Sequence, residues 1–277
     1  RDEGVEVILG VRGLKVHSKL CLITRREGRK SRHYAAIGTG NFNEETARMY
    51  TDHLLLTSDS EIAGEVAQVF EFFRNNYRVP AFRQLVVSPF GSRNQLLEKI
   101  ESECRNARKG KPAWILLRLN NLADEELIGA LTEASREGVE VRILVRSMNA
   151  LAMDVPGVTD AIEARCLVGR FLEHSRILMF ANGGKPSVYM TSADWMMRNM
   201  DERVEVACPV RDRRLRQELI DEFEMQWRDT ENARVWNDDD AEIRLDPSFP
   251  RFDSQSGIRD WLASLVQDGD RGGKLRE

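Results

Sequence analysis

Lys15-Val16-His17-Ser18-Lys19, followed by Ile37-Gly38-Thr39-Gly40-Asn41-Phe42-Asn43, decides the reading of this chain, because the pattern occurs twice. The second copy is Leu172-Glu173-His174-Ser175-Arg176, followed by Tyr189-Met190-Thr191-Ser192-Ala193-Asp194-Trp195. Each copy places a cation two residues after a histidine. Alternate residues of a strand face the same side, so histidine and cation are expected to project together. A turn of small residues ending in Asn or Asp follows on the next apolar run. Two such copies predict one site assembled from two halves.

The spacing supports a repeat, and a repeat changes the fold that should be expected. The histidines are 174 − 17 = 157 residues apart, and so are Lys19 and Arg176. At that offset Val5, Val7 and Val11 fall on Ile162, Ala164 and Val168. Asn41 lies 24 residues after His17, and Asp194 lies 20 after His174. The four extra residues fit the polar run 25–31, which reads as a longer hairpin loop.

With 277 residues the chain can hold two domains of ordinary size. Its 42% hydrophobic and 31% charged residues are those of a globular protein. A formal net charge of −4 argues against a general nucleic-acid coat protein. Cys21, Cys104, Cys166 and Cys208 form no CxxC, so neither a zinc site nor a disulfide framework is read. No apolar run is long enough to span a bilayer, and a cytoplasmic place is expected.

Taken in order, 5–9, 16–24, 33–37 and 52–57 read as strands, and 46–50 as a short helix. Ser58-Asp59-Ser60-Glu61 opens a helix carrying Ile62, Val66, Val69, Phe70 and Phe73 at helical spacing. Residues 94–108 read as a helix, 113–119 as a strand, 124–137 as a helix and 139–145 as a strand. This alternation predicts an α/β unit with a parallel component. The first copy has no room for equivalents, so the chain is expected to begin inside a domain of a larger protein. Residues 147–159 read as a loop and 213–227 as an amphipathic helix. Beyond Asp229 the chain is polar, with a short apolar segment at 258–266, and partial disorder is expected.

Neutral histidine is a nucleophile near physiological pH, and its conjugate acid donates protons there. One histidine of a pair can form a phosphohistidine while the other protonates the leaving oxygen or positions the attacking group. Lys19 and Arg176 would neutralise the non-bridging oxygens, and Asn41 and Asp194 would orient the imidazoles. Gly38 and Gly40 allow bare backbone N–H groups to approach a ligand. His33 and His53 lack the partner pattern and read as structural. A lone histidine in a strand is ordinarily a packing residue, and it is the matched pair that points to phosphoryl or phosphatidyl transfer.

The two histidine–cation copies resemble a diverged phospholipase D superfamily fold. The wording of Gly13–Lys19, Gly38–Asn43, Thr46–Asp52, Val168–Arg176 and Ser192–Asn199 is similar to the C-terminal half of the bacterial polyphosphate kinase family, from the first residue to the helix ending near Trp227. The resemblance implies two tandem phospholipase D-like α/β domains with mixed sheets flanked by helices. The expected division is 1–87 for the first, truncated at its N-terminus, 88–230 for the second, and 231–277 for a polar tail. It implies reversible transfer of the ATP γ-phosphate to inorganic polyphosphate through a phosphohistidine. His17 would be phosphorylated and His174 would be the second catalytic histidine, also at the nucleotide. Tyr50 and Arg146 match nucleotide contacts, and Lys19, Asn41 and Arg176 would line the phosphate path. ATP or ADP and Mg2+ are the implied cofactors, the metal ligands lying upstream of Arg1. Polyphosphate, nucleotide and further copies of the chain are the implied partners, in the cytoplasm or peripheral at the inner membrane.

Two other readings stay open. A phospholipase D-like phosphodiesterase or nuclease would use the same histidines without a nucleotide. A diverged paralogue would bind polyphosphate without turnover. The latter draws on Ser147-Met148-Asn149-Ala150-Leu151-Ala152-Met153-Asp154, which stands where the family reads Gly-Ile-Cys-Cys-Leu-Arg-Pro-Gly.

Overall fold

The structure is a computed structural model that describes residues 2–237, 243–244, 248 and 250–272. Strand β1 (Lys15–Val16) stops at His17, and after Ser18 the chain enters the antiparallel hairpin β2 (Lys19–Glu27) and β3 (Lys30–Gly38). Helix α1 (Glu44–Ala47) leads to β4 (Tyr50–Thr51) and β5 (Leu54–Thr57), and β5 completes a three-stranded sheet in the order β2-β3-β5. Helix α2 (Ser60–Arg74) starts where Asp59 accepts hydrogen bonds from the backbone of Glu61 and Ile62. Its buried Ile62, Val66, Val69 and Phe72 recur at helical spacing and pack over Ala35 and Ile37.

The larger sheet follows. It is built from β6 (Val86–Ser88), helix α3 (Ser92–Arg108), β7 (Trp114–Leu122), helix α4 (Glu125–Arg136), β8 (Glu140–Asn149) and β9 (Ile162–Leu167). Next come β10 (Leu172–Glu173), β11 (Arg176–Phe180), β12 (Ser187–Thr191), helix α5 (Met197–Asp201), β13 (Arg203–Pro209), helix α6 (Arg213–Trp227), β14 (Ala233–Val235), β15 (Ile243–Arg244) and helix α7 (Ser254–Gly272). The order is β1-β13-β12-β11-β7-β8-β9-β14-β15, with β6 on β13. Strands β7, β8 and β9 are parallel, the geometry that the crossover helix α4 requires, while β11, β12 and β13 are antiparallel. Residues 233–235, within the segment expected as a tail, extend the sheet beyond β9.

Several local expectations are corrected. Residues 5–9 form no strand. Val5 and Leu9 are exposed, and no described neighbour lies alongside to complete a ladder. The four extra residues of the first hairpin are in its strands, not its loop. β2 and β3 turn through Gly28 and Arg29, with Gly28 at φ 64°, whereas the shorter β11–β12 pair carries the longer connection. The expected loop at 147–159 begins later, because β8 runs on to Asn149 beside β7. Leu151 and Met153, in the segment that departs from the family wording, are buried in the main core. No helix among the described residues is long and apolar enough to cross a membrane.

One buried charge network ties the two halves beside the His174 segment. The Arg118 guanidinium on β7 donates to Glu222 on α6 at 2.6 Å and also pairs with Glu173 on β10. His53 from the first half meets the other Glu222 oxygen at 2.8 Å. Burial alone would push the Glu222 carboxyl up, but His53 and Arg118 outweigh it and hold it at about 2. A depressed carboxyl stabilises the fold above its unfolded value, and that stability disappears as pH falls through the folded one. Glu222→Gln is expected to cost about 2 to 3 kcal/mol at neutral pH in urea unfolding. The wild-type advantage is expected to vanish between pH 4.5 and about 2.

Candidate active site

The two histidine segments exchange partners across the halves. Lys15 and Val16 pair in parallel with Arg203 and Val204 of β13. Leu172 and Glu173 pair in parallel with Tyr50 and Thr51 of β4. The backbone N–H groups of His17 and Ser18 both donate to Val204 O, at 3.0 and 2.9 Å. Those of His174 and Ser175 both donate to Thr51 O, at 3.3 and 2.9 Å. Each histidine is therefore leaving a short strand that belongs to the opposite half's ladder.

The same exchange supplies each imidazole with a carboxylate. His17 Nδ1 lies 2.9 Å from both Glu205 oxygens. His174 Nδ1 lies 2.9 and 3.0 Å from the two Asp52 oxygens. An ionised carboxylate only accepts, so Nδ1 carries the proton in both rings. In the neutral ring this leaves a lone pair on Nε2, open in His17 and facing the Arg176 guanidinium in His174. Glu205 also accepts from Ser192 Oγ at 2.5 Å and Asn199 Nδ2 at 2.6 Å, and Asp52 accepts from Thr39 Oγ1 at 2.7 Å. Burial raises the Asp52 carboxyl, but the bonds from His174 and Thr39 prevail and keep it below its ordinary value.

These carboxylates take the role expected of Asn41 and Asp194. Asn41 is exposed, and its side chain bonds neither imidazole. Asp194 is buried and paired with Arg176, whose Nε and Nη2 lie 3.2 and 3.3 Å from its oxygens. It also accepts from the backbone of Asn120 and Asn121 at 2.8 and 3.2 Å. Burial would lift the Asp194 carboxyl, yet Arg176 holds it below the usual range. Asp52 and Glu205 obey the 153-residue offset that relates Asn41 to Asp194 (194 − 41 and 205 − 52), as do Thr39 and Ser192 (192 − 39). Carrying that offset past the turns would have found them.

The two cations take similar places. Lys19 Nζ bonds the carbonyl of His17, and Arg176 Nη1 donates to that of His174 at 2.9 Å. Arg176 Nη1 also reaches His174 Nε2 at 3.1 Å and Thr39 O at 3.4 Å, so it touches the first half's turn. Lys19 is 7% exposed, and burial, reinforced by Arg176, lowers its pKa to about 8 against the opposing pull of Glu205 and Asp52. Lys19 therefore loses charge far more readily than a surface lysine.

The remaining expected residues lie on the His174 side. The Tyr50 ring centroid is 5.0 Å from that of His174, tilted by 49°. Arg146 Nε donates to Asn120 Oδ1 at 3.2 Å, and Asn120 Nδ2 donates to His174 O at 3.4 Å. Asn120 thus links Arg146 to the histidine, a connection that sequence spacing does not reveal. Among the described residues no group of three or more His, Cys, Asp and Glu side chains forms a metal-binding set.

Gly40 is set by the site itself, since a Cβ there would lie 1.9 Å from Asp52 Oδ2. Gly64 lies inside α2, and a Cβ there meets nothing within 4 Å. Gly40→Ala is expected to destabilise by about 1 to 3 kcal/mol in urea unfolding as it displaces Asp52. Gly64→Ala is expected to be neutral or stabilising by up to about 1 kcal/mol.

Known proteins match the chain along nearly its whole length. The family model described as polyphosphate kinase C-terminal domain 1 matches residues 1–79, and that described as polyphosphate kinase C-terminal domain 2 matches residues 85–255. Polyphosphate kinase of Vibrio cholerae is 50% identical over 233 residues, 84% of this chain and 33% of that protein. Polyphosphate kinase of Escherichia coli K12 is 46% identical over 268 residues, 96% of this chain and 39% of that protein. The crystal structure of polyphosphate kinase from Porphyromonas gingivalis superposes with a TM-score of 0.87 at 37% identity, covering 93% of this chain and 40% of that one. The chain thus spans between a third and two fifths of the length of these relatives. Its fold is the mixed α/β one that the resemblance implied. The chain belongs to the polyphosphate kinase family.

Proposed function

We propose that this member of the polyphosphate kinase family carries the phosphoryl-transfer site of a longer enzyme that exchanges the γ-phosphate of ATP with inorganic polyphosphate. The observation that supports this best is the pair of carboxylate-held imidazoles, each with Nδ1 committed, His17 with its Nε2 open and His174 with its Nε2 against Arg176, beside the buried Lys19. In this reading His17 Nε2 attacks the γ-phosphorus. A phosphorus–nitrogen bond forms, the bond to the β–γ bridging oxygen breaks, and ADP leaves. A terminal oxygen of the polyphosphate chain then attacks the same phosphorus. The phosphorus–nitrogen bond breaks, and the chain is longer by one phosphate. The reverse reaction remakes the same bonds.

Each side chain has a physical reason for its part. Glu205 fixes the His17 tautomer and stabilises the ring as positive charge develops on it. Lys19 and Arg176 offset charge on the non-bridging oxygens, an effect that burial strengthens. His174, held by Asp52, accepts from Arg176 while its ring is neutral; in its protonated form Nε2–H donates to the leaving oxygen and Arg176 turns to the phosphate. Tyr50 offers a ring for the adenine and Arg146 a fork for phosphate, while Asn41 sits on the exposed rim of the phosphate path. Magnesium, which the family resemblance implies, finds no ligand set among the described residues, and the carboxylates nearest the histidines are committed to Nδ1. Division into two catalytic units at 87/88, assembly as a homo-oligomer and a cytoplasmic place, free or peripheral at the inner membrane, belong to the same reading.

The test uses the full-length protein with ATP, magnesium and polyphosphate. Acid-labile phosphate on His17, seen by mass spectrometry and lost in His17→Ala, is the expected outcome. Glu205→Gln is expected to keep the fold and slow labelling on the order of 100-fold or more, because the tautomer is no longer fixed. Phosphodiester cleavage that needs no nucleotide, or polyphosphate binding with no label at all, would overturn the proposal.

A further inference from the structure

The segment leading into His174 is held by the C-terminal helix. Residues 168–171 run exposed or half-exposed between β9 and β10, and β10 is only two residues long. A ladder of two residues restrains a chain weakly. Gln255, the second residue of α7, supplies the missing restraint. Its Oε1 accepts from Phe171 N at 3.0 Å, and its Nε2 donates to Phe171 O at 2.8 Å. The same Nε2 donates to Glu173 Oε1 at 2.7 Å. Glu173 is buried and directly precedes His174, and its other oxygen accepts from Thr51 Oγ1 at 2.8 Å and Gln226 Nε2 at 2.9 Å.

The start of α7 is itself anchored. Ser254 N and Oγ both bond Asp229 Oδ2, at 2.7 and 2.6 Å, and Asp229 is fully buried. Opposite, Gly169 leaves room for the Gln255 amide, since a Cβ there would lie 2.6 Å from Gln255 Oε1. The path from α7 to the imidazole is therefore Asp229, Ser254, Gln255, then Phe171 and Glu173, then His174.

We propose that Gln255 is a positioning residue for His174, which makes the first turn of α7 part of the active-site framework. The proposal rests on the reading in which the second histidine takes part in phosphoryl transfer. It acts through geometry: a displacement of about 1 Å at a reacting group costs on the order of 100-fold in rate.

The test is made on the full-length protein with Gln255→Ala, Gln255→Glu, Gly169→Ala and the double variant Gln255→Ala/Gly169→Ala. Turnover with ATP and polyphosphate is followed together with backbone hydrogen exchange. Gln255→Ala is expected to lower kcat about 10- to 100-fold with KM for ATP changed less than about twofold, and to speed exchange at 171–175 while β11 and β12 stay protected. Gln255→Glu is expected to be worse at neutral pH, because it sets a second carboxylate against Glu173, and to recover as pH falls and that pair takes up a proton. Gly169→Ala is expected to reproduce Gln255→Ala, and the double variant to be no worse than either single one, since both remove the same contact. Wild-type turnover and exchange in Gln255→Ala, or equal effects of Ala and Glu at every pH, would overturn the proposal. If the wild-type protein forms no phosphohistidine, the transfer reading fails on its own. Exchange at 171–175 then still decides whether Gln255 holds the histidine segment.

Discussion

Everything in this structure turns on two reciprocal contacts, Glu205 with His17 and Asp52 with His174. Neither half can complete its own imidazole, because the carboxylate arrives from the other half, Glu205 on β13 and Asp52 just after β4. The exchange is made possible by two-residue parallel pairings, Lys15–Val16 on β13 and Leu172–Glu173 on β4, which deliver each histidine to a carbonyl of the opposite unit. The small residues around the site follow from this demand. Gly40 makes room for Asp52, and Thr39 and Ser192 occupy equivalent places as hydroxyl donors to the two carboxylates.

The departures from two-fold symmetry separate the halves chemically. Arg176 is neutralised by Asp194, a buried partner held ionised by that pairing. Lys19 stands opposite Asn41 in the repeat, which carries no charge, and burial brings its pKa down to about 8. A buried cation without a dedicated counter-ion is costly by itself and gains most from an anionic ligand. Glu205 is 1% exposed and accepts from three side chains, whereas Asp52 is more open. The His17 side of the site is thus the more closely held and carries the cation without a carboxylate of its own, which suits an attacking imidazole. The second lies beside Tyr50 and, through Asn120, beside Arg146.

The repeat was legible in the sequence because chemistry demanded the same residue types twice, and residue types survive in a string of letters. The helices at 60–74, 92–108 and 213–227 were legible through apolar spacing, the first also through its start at Ser58–Glu61. The carboxylate partners were hidden. Asp52 closes the stretch Thr46–Asp52, but nothing local tells an aspartate that holds a histidine from one that faces water. Only the second offset identifies it. The strand read at 5–9 failed for a related reason, because alternating apolar residues make a ladder only where a neighbour supplies the other edge. The role of Gln255 was out of reach of pattern reading, since it depends on a contact between residues 84 apart in an otherwise ordinary helix.

The tautomeric state of the two active-site histidines tests the account most directly. In full-length protein labelled with 15N-histidine, long-range 1H–15N correlations distinguish Nδ1–H from Nε2–H rings, and His17→Gln and His174→Gln assign the signals. The account requires Nδ1–H with an unprotonated Nε2 in both neutral rings, with Glu205→Gln disturbing His17 alone and Asp52→Asn disturbing His174 alone. Nε2–H rings in the wild-type protein, or carboxylate variants that each disturb the histidine of their own half, would contradict it.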